Sequence, residues 1–300
     1  MSAAPTPQHA KAFGSSVAAY LASHRHKLNN FSWPMTEGCF NTAVELKLLS
    51  GPSVEGGFAE TMQLRQAVAE RALEIQKVVA NPLRDAKLAE LAGFVIAGWG
   101  NLNGNDPKTI GKYVARFTGI ELPFSEIRCA EDLRAAVKPR SRRHLFAFKG
   151  VASWSKWLSF IWGDWALIYD ARIAFALDAI HFIHGIDAPV FPVPSGRNPL
   201  LAHFDARSCA SFSWLARRSQ EPPALDEMPS WMASAVVQEK YAYSYYLAVM
   251  AETHHLLWPA HARPPLVHTE MLLFSLSIKD IAADFCAEML TRFQPRTFVA

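Results

Sequence analysis

Apolar residues recur at spacings of three and four along nearly the whole chain, and this periodicity constrains the fold more than any other feature. Met62, Leu64, Val68, Leu73, Ile75, Val78 and Val79 repeat in this way with charges between them, and Asn81-Pro82 closes the helix they predict. The same pattern predicts helices over 83–99, from Asp106-Pro107 to near Gly119, and over 125–137, 153–162, 170–184, 200–217, 226–250 and 267–293. Asp106-Pro107 reads as an N-cap followed by a first-turn proline. Strand signals are thin: only 42–49 reads equally as a short strand or a helical turn. The expected architecture is therefore all-α, one domain over 1–300 with possible lobes at 1–137 and 138–300.

Composition narrows the function classes. Lys plus Arg exceed Asp plus Glu by only three, which excludes a histone-like polycation and an acidic tail. Only 19% of residues are charged, below the usual figure of about 25%. Nine Trp and nineteen Phe supply core volume, and also flat surface suited to planar ligands. The most apolar run, 158–168, is broken by Ser159, Gly163 and Asp164, too short for a bilayer crossing of about 20 residues. The first residues lack a basic head followed by a continuous apolar run. The expectation is a soluble, cytoplasmic protein with no membrane partner. Cys39, Cys129, Cys209 and Cys286 are far apart with no paired spacing, so they read as reduced, buried thiols. His181, His184, His254, His255, His261 and His268 lack the spacing of a zinc site, and neither a metal nor an organic cofactor is expected.

The chemistry-bearing stretch is 153–173, SWSKWLSFIWGDWALIYDARI. Lys156 stands on a helix rich in Trp and Phe, and poor hydration weakens an ammonium's hold on its proton, the usual route to an amine nucleophile near neutral pH. Asp170 stands at the start of the next helix, where a carboxylate caps exposed N–H groups. The plain alternative is that Asp170 is only a cap and Lys156 only a side chain between core tryptophans.

The run Ser-x-Lys-Trp-Leu-x-Phe followed by Ile-Tyr-Asp-x-Arg-Ile, ending at Ile173, resembles a segment of the 8-oxoguanine DNA glycosylase-like (OGG-like) family of the helix-hairpin-helix glycosylase superfamily. Gly98-Trp99-Gly100 and His268–Phe274 extend the likeness. The resemblance implies two helical lobes around a central cleft, double-stranded DNA with a modified base as partner, and no cofactor. It implies that a lysine attacks the sugar and that Asp170 matches the family aspartate, helping to deprotonate the amine and to stabilise positive charge on the sugar. Lys156 fits by position on its helix, and Lys149 by nearness to the turn that would hold the DNA-gripping hairpin. The family's Leu-Pro-Gly-x-Gly hairpin is replaced here by Phe148-Lys149-Gly150-Val151, and Leu167 replaces the proline before Ile-Tyr-Asp.

Two further signals accompany that stretch. Lys138-Pro-Arg-Ser-Arg-Arg-His144 carries four fixed positive charges just before the turn, so Arg140, Arg142 and Arg143, with Gly150, are the expected DNA-backbone contacts. Trp154, Trp157 and their neighbours trace a core face, leaving Trp162 and Trp165 as candidates for the base pocket. The expected activity is a DNA N-glycosylase with AP-lyase capacity acting on a damaged purine such as 8-oxoguanine. The competing expectation is a catalytically inactive module of the same shape that binds nucleic acid or a partner protein.

Overall fold

The computed structural model describes residues 4–49, 56–78, 83–101, 107–195, 201, 205–218 and 224–292. The helices are α1 (Pro7–Ala22), α2 (Glu37–Glu45), α3 (Phe58–Val78), α4 (Leu83–Gly93), α5 (Pro107–Thr118), α6 (Ala130–Ala136), α7 (Pro139–Arg142), α8 (Val151–Ile161), α9 (Ala171–His184), α10 (Ala206–Arg218), α11 (Met228–Ser234), α12 (Glu239–Leu257), α13 (Val267–Leu276) and α14 (Ala282–Arg292). Wide π turns, Phe94–Trp99 and Ser277–Ile281, follow α4 and α13. No strand forms among the described residues, only isolated bridges at Ser32–Gly57 and Val190–Val236. The fold is all-α. No described helix is long and apolar enough to cross a membrane.

Several expected boundaries shift. Residues 42–45 belong to α2, whose cap Thr36 accepts the Cys39 N–H, so the strand option is gone. The helix expected over 226–250 is two helices, because Val190 pairs with the intervening segment: its N–H donates to the Ala235 carbonyl and its carbonyl accepts from the Val237 N–H. The helix expected over 125–137 shortens to α6, preceded by a single tight turn, Phe124–Glu126. The four cysteines are free thiols, of which only Cys39 is fully buried. The expected stop at Asn81-Pro82 and cap at Asp106 lie outside the described residues.

The chain divides into two compact units. One comprises His26–Tyr169 and Arg263–Met271. At its centre α8 packs on α3, α5 and the first π turn. It is buried almost all round, with Trp154, Trp157 and Leu158 fully enclosed, and it carries Ser153, Ser155, Lys156 and Ser159 into the interior with them. The other unit comprises Met1–Arg25, Asp170–Ala262 and Leu272–Ala300. There α9 is the central helix, buried continuously from Ile173 to Phe182, and packs on α1, α10, α14 and the second π turn. Asp170 begins α9, and Gly185 ends it in the left-handed conformation.

Candidate functional site

The segment that carries the expected chemistry starts at a turn. Chain leaving α7 reaches Gly150 at φ +73°, the cap of α8, and a Cβ there would stand 2.6 Å from the Tyr113 ring. Glycine is required twice over, by backbone sign and by space. Gly150→Ala is therefore expected to destabilise the chain by roughly 2 kcal/mol through αL strain and overpacking, read as a drop of several degrees in Tm. The turn is further fixed by the Trp154 indole N–H donating to the Ala147 carbonyl at 3.0 Å.

Arg140, Arg142 and Arg143 are all exposed, but they are not equivalent. The Arg142 guanidinium turns back to donate to the carbonyls of Ala135 and Val137, closing the end of α6. Arg140 and Arg143 make no such contact among the described residues. Lys149 projects from the turn and is exposed.

Lys156 is 5% exposed. Its Nζ donates to the Ala152 carbonyl one turn back, at 2.8 Å. Its stem lies on Gly100, where a Cβ would stand 2.7 Å from Lys156 Cδ and 2.9 Å from Cε. The Gly-Trp-Gly segment thus has a physical role: its last glycine makes room for the lysine. The next residue back on α8, Ser155, accepts the Tyr169 N–H at 3.0 Å and ties the helix to the residue before Asp170. Asp170 itself belongs to the other unit, where its carboxylate accepts the N–H groups of Arg172 and Ile173 at 3.0 and 3.1 Å. Arg172, beside it, donates to the Ser277 hydroxyl and lies 4.0 Å above the Phe274 ring; burial lowers its pKa, and Asp170 offsets part of that.

Trp162 and Trp165 line a cleft of about 400 Å³ within the α8 unit, a volume in the range of small-molecule sites. Their rings stack at 5.9 Å with 25° between planes. Each indole N–H is anchored on backbone, Trp162 to Phe124 at 2.9 Å and Trp165 to Ile127 at 3.4 Å. Ala69, Leu73 and Ile161 supply apolar wall, and Ser125, Arg128 and Asp164 supply polar groups. Lys156 does not line this cleft.

Two residues not singled out in the sequence hold the segment in place. Arg65 on α3 and Glu270 on α13 form a buried ion pair at 3.2 Å. Ser159 bridges them: Arg65 donates to its hydroxyl at 2.6 Å and its carbonyl at 3.2 Å, and the hydroxyl meets Glu270 at 3.3 Å. Glu270 also accepts the Ile168 N–H at 2.7 Å. The visible signal was a charged residue inside each apolar helical stripe. Among the described residues no three His, Cys, Asp or Glu side chains converge as a metal site would require. No family model, curated protein or solved structure matches the chain.

Proposed function

We propose that the chain is a DNA N-glycosylase of helix-hairpin-helix type, built as two helical lobes, acting on double-stranded DNA that carries a modified purine such as 8-oxoguanine. The observation that carries this reading is a buried lysine, 5% exposed, on a helix that starts from a left-handed glycine turn, with its stem bedded on Gly100. Burying an amine is costly unless it is used or neutralised, and a poorly hydrated amine is the form that attacks carbon.

In this reading the neutral Lys156 amine, or that of Lys149, attacks the anomeric carbon. The glycosidic bond breaks, its electron pair leaves with the base, and the base takes up a proton. The nitrogen then loses a proton, and opening of the sugar ring gives a protonated Schiff base from which strand scission can follow. Asp170 matches the family aspartate in accepting the amine's proton and stabilising charge on the sugar. Arg140 and Arg143 would neutralise phosphates beside the Gly150 turn, with Arg142 shared between that role and closing α6. Trp162 and Trp165 would border an unstacked base, the half-buried Trp165 supplying most of the ring surface because Trp162 is only 5% exposed.

Borohydride reduction tests the reaction. Incubated with duplexes bearing 8-oxoguanine or an abasic site, the wild-type chain is expected to give a covalent adduct. The adduct should vanish in either Lys156→Met, which keeps the stem against Gly100, or Lys149→Ala. No adduct on any lesion, or an adduct surviving both substitutions, overturns the proposal. A second reading, a module that binds nucleic acid or a partner protein without chemistry, is favoured by one observation: the Lys156 ammonium is held by the Ala152 carbonyl and stands outside the tryptophan cleft. Salt-dependent duplex binding without an adduct is its expected signature.

A further inference from the structure

Four apolar side chains along the tryptophan cleft are left partly uncovered: Ala69 and Leu73 on α3, Ile161 at the end of α8, and Trp165. Trp162 belongs to the core and offers a guest little. Two charges of opposite sign share the rim. The Trp165 indole N–H donates to the Ile127 carbonyl; Arg128 follows one partner of that bond and Asp164 precedes the other. Both charged side chains line the cleft and both are exposed. Among the described residues neither forms an ion pair within 4 Å, with the other or with any third group. Asp132 accepts the Arg128 backbone N–H at 2.9 Å but forms no ion pair with the guanidinium. Arg128 and Asp164 are thus close enough to share one small cleft and too far apart to satisfy each other.

That layout selects among guests. An ionised carboxylate only accepts hydrogen bonds, and a guanidinium only donates them. A simple anion satisfies Arg128 and is repelled by Asp164, and a simple cation does the reverse. A neutral apolar molecule covers the wall and leaves both charges unanswered. The guest that meets all three demands carries a carboxylate and an ammonium side by side on an apolar body. An α-amino acid with a large apolar side chain, in its ordinary doubly ionised form, is such a molecule. Its carboxylate suits the two-pronged donor geometry of arginine, and its ammonium suits an acceptor-only carboxylate.

We propose that this cleft binds a free α-amino acid with a large apolar side chain, Arg128 holding its carboxylate, Asp164 its ammonium, and Leu73, Ile161 and Trp165 covering its side chain. The inference goes beyond the glycosylase reading, for it needs neither DNA nor the Lys156 amine. Calorimetric titration of the full chain with L-phenylalanine tests it, beside three analogues that each lack one feature. N-acetyl-L-phenylalanine lacks the ammonium, L-phenylalanine amide the carboxylate, and glycine the apolar body. L-phenylalanine is expected to bind at millimolar concentration or below, and each analogue to bind roughly tenfold weaker or more. Asp164→Asn and Arg128→Gln, at exposed positions that leave the core intact, should each weaken L-phenylalanine by a similar factor. Asp164→Asn should leave the weak binding of the acetylated analogue unchanged, because the group it pairs with is already gone. No binding of L-phenylalanine at millimolar concentration, analogues that bind as tightly as L-phenylalanine, or unchanged L-phenylalanine affinity in both variants overturns the proposal. Borohydride trapping on DNA reads a different event, so each result stands apart from the other.

Discussion

Glu270→Ala is expected to destabilise the chain by about 3–5 kcal/mol, the usual cost of removing one member of a buried ion pair. The carboxylate is the acceptor for Arg65, for the Ser159 hydroxyl and for the Ile168 N–H. Its loss takes the Glu270 charge away from the Arg65 guanidinium, 5% exposed, and takes the acceptor from the buried Ile168 N–H. The rings of Phe160 at 4.8 Å and Trp99 at 5.7 Å face the guanidinium, and their attraction for a cation is about 2 kcal/mol at most in a desolvated site. That cannot replace a carboxylate. The double variant Arg65→Met, Glu270→Leu removes both charges and fills the space, so it should cost clearly less than the two single changes added together. Urea unfolding of the four species measures the coupling. Additive losses, or a Glu270→Ala loss below about 0.5 kcal/mol, would show that the pair is not what holds α8 to α3 and α13.

How far the sequence reveals this molecule depends on the range of the interaction involved. The period-three-and-four stripe of α3 is legible because burial follows it: Leu64, Val68, Ala72 and Ile75 are enclosed. Val78, in the same stripe, is 83% exposed. Asp170 is legible as a cap because an N-cap is a local device of three residues. The break between α11 and α12 is not legible. Residues 234–240 suit a helix, and only pairing with Val190, far back in the chain, pulls 235–237 out of it. The bed that Gly100 makes for Lys156 and the bridge from Arg65 to Glu270 are likewise contacts across long sequence separation. A glycine or a charge in an apolar stripe marks that something approaches, but not what. Trp162 and Trp165 line one cleft, and Arg128 joins its wall only through the fold, from a segment more than thirty residues earlier.

The buried titratable pair on α9 gives the second large effect, and its two members act in opposite directions. His181 is fully buried, and its Nε2–H donates to the Ala188 carbonyl at 2.7 Å, which leaves Nδ1 without a partner among the described residues. Burial first, with Arg217 adding, lowers its pKa from 6.5 to about 4, against small opposing effects of the Ala188 bond and Asp187. The folded state thus refuses a proton that the unfolded chain takes up below pH 6.5, so stability is lost as pH falls toward 4, by up to about 3 kcal/mol. Asp178, one turn earlier, accepts the Phe191 N–H at 2.9 Å through one oxygen while the other has no partner among the described residues. Burial raises its pKa well above the ordinary carboxylate value, against the Phe191 bond and Arg207, with Asp205 adding to the rise. Here the folded state keeps a proton that the unfolded chain releases above about pH 4, so its stabilising share is lost as pH rises. Asp178→Asn preserves an acceptor for Phe191 and cannot ionise, and His181→Gln preserves a donor for Ala188 and cannot take a proton. The Tm of Asp178→Asn relative to wild type should therefore climb as pH rises from 4 to 8, and that of His181→Gln should climb as pH falls from 7 to 4. Taking each variant against wild type at every pH cancels the titration of surface groups and of the half-buried His184 and His268, both lowered by burial. Flat difference curves, or slopes of the same sign, would show that α9 does not carry these two groups buried in their uncharged forms.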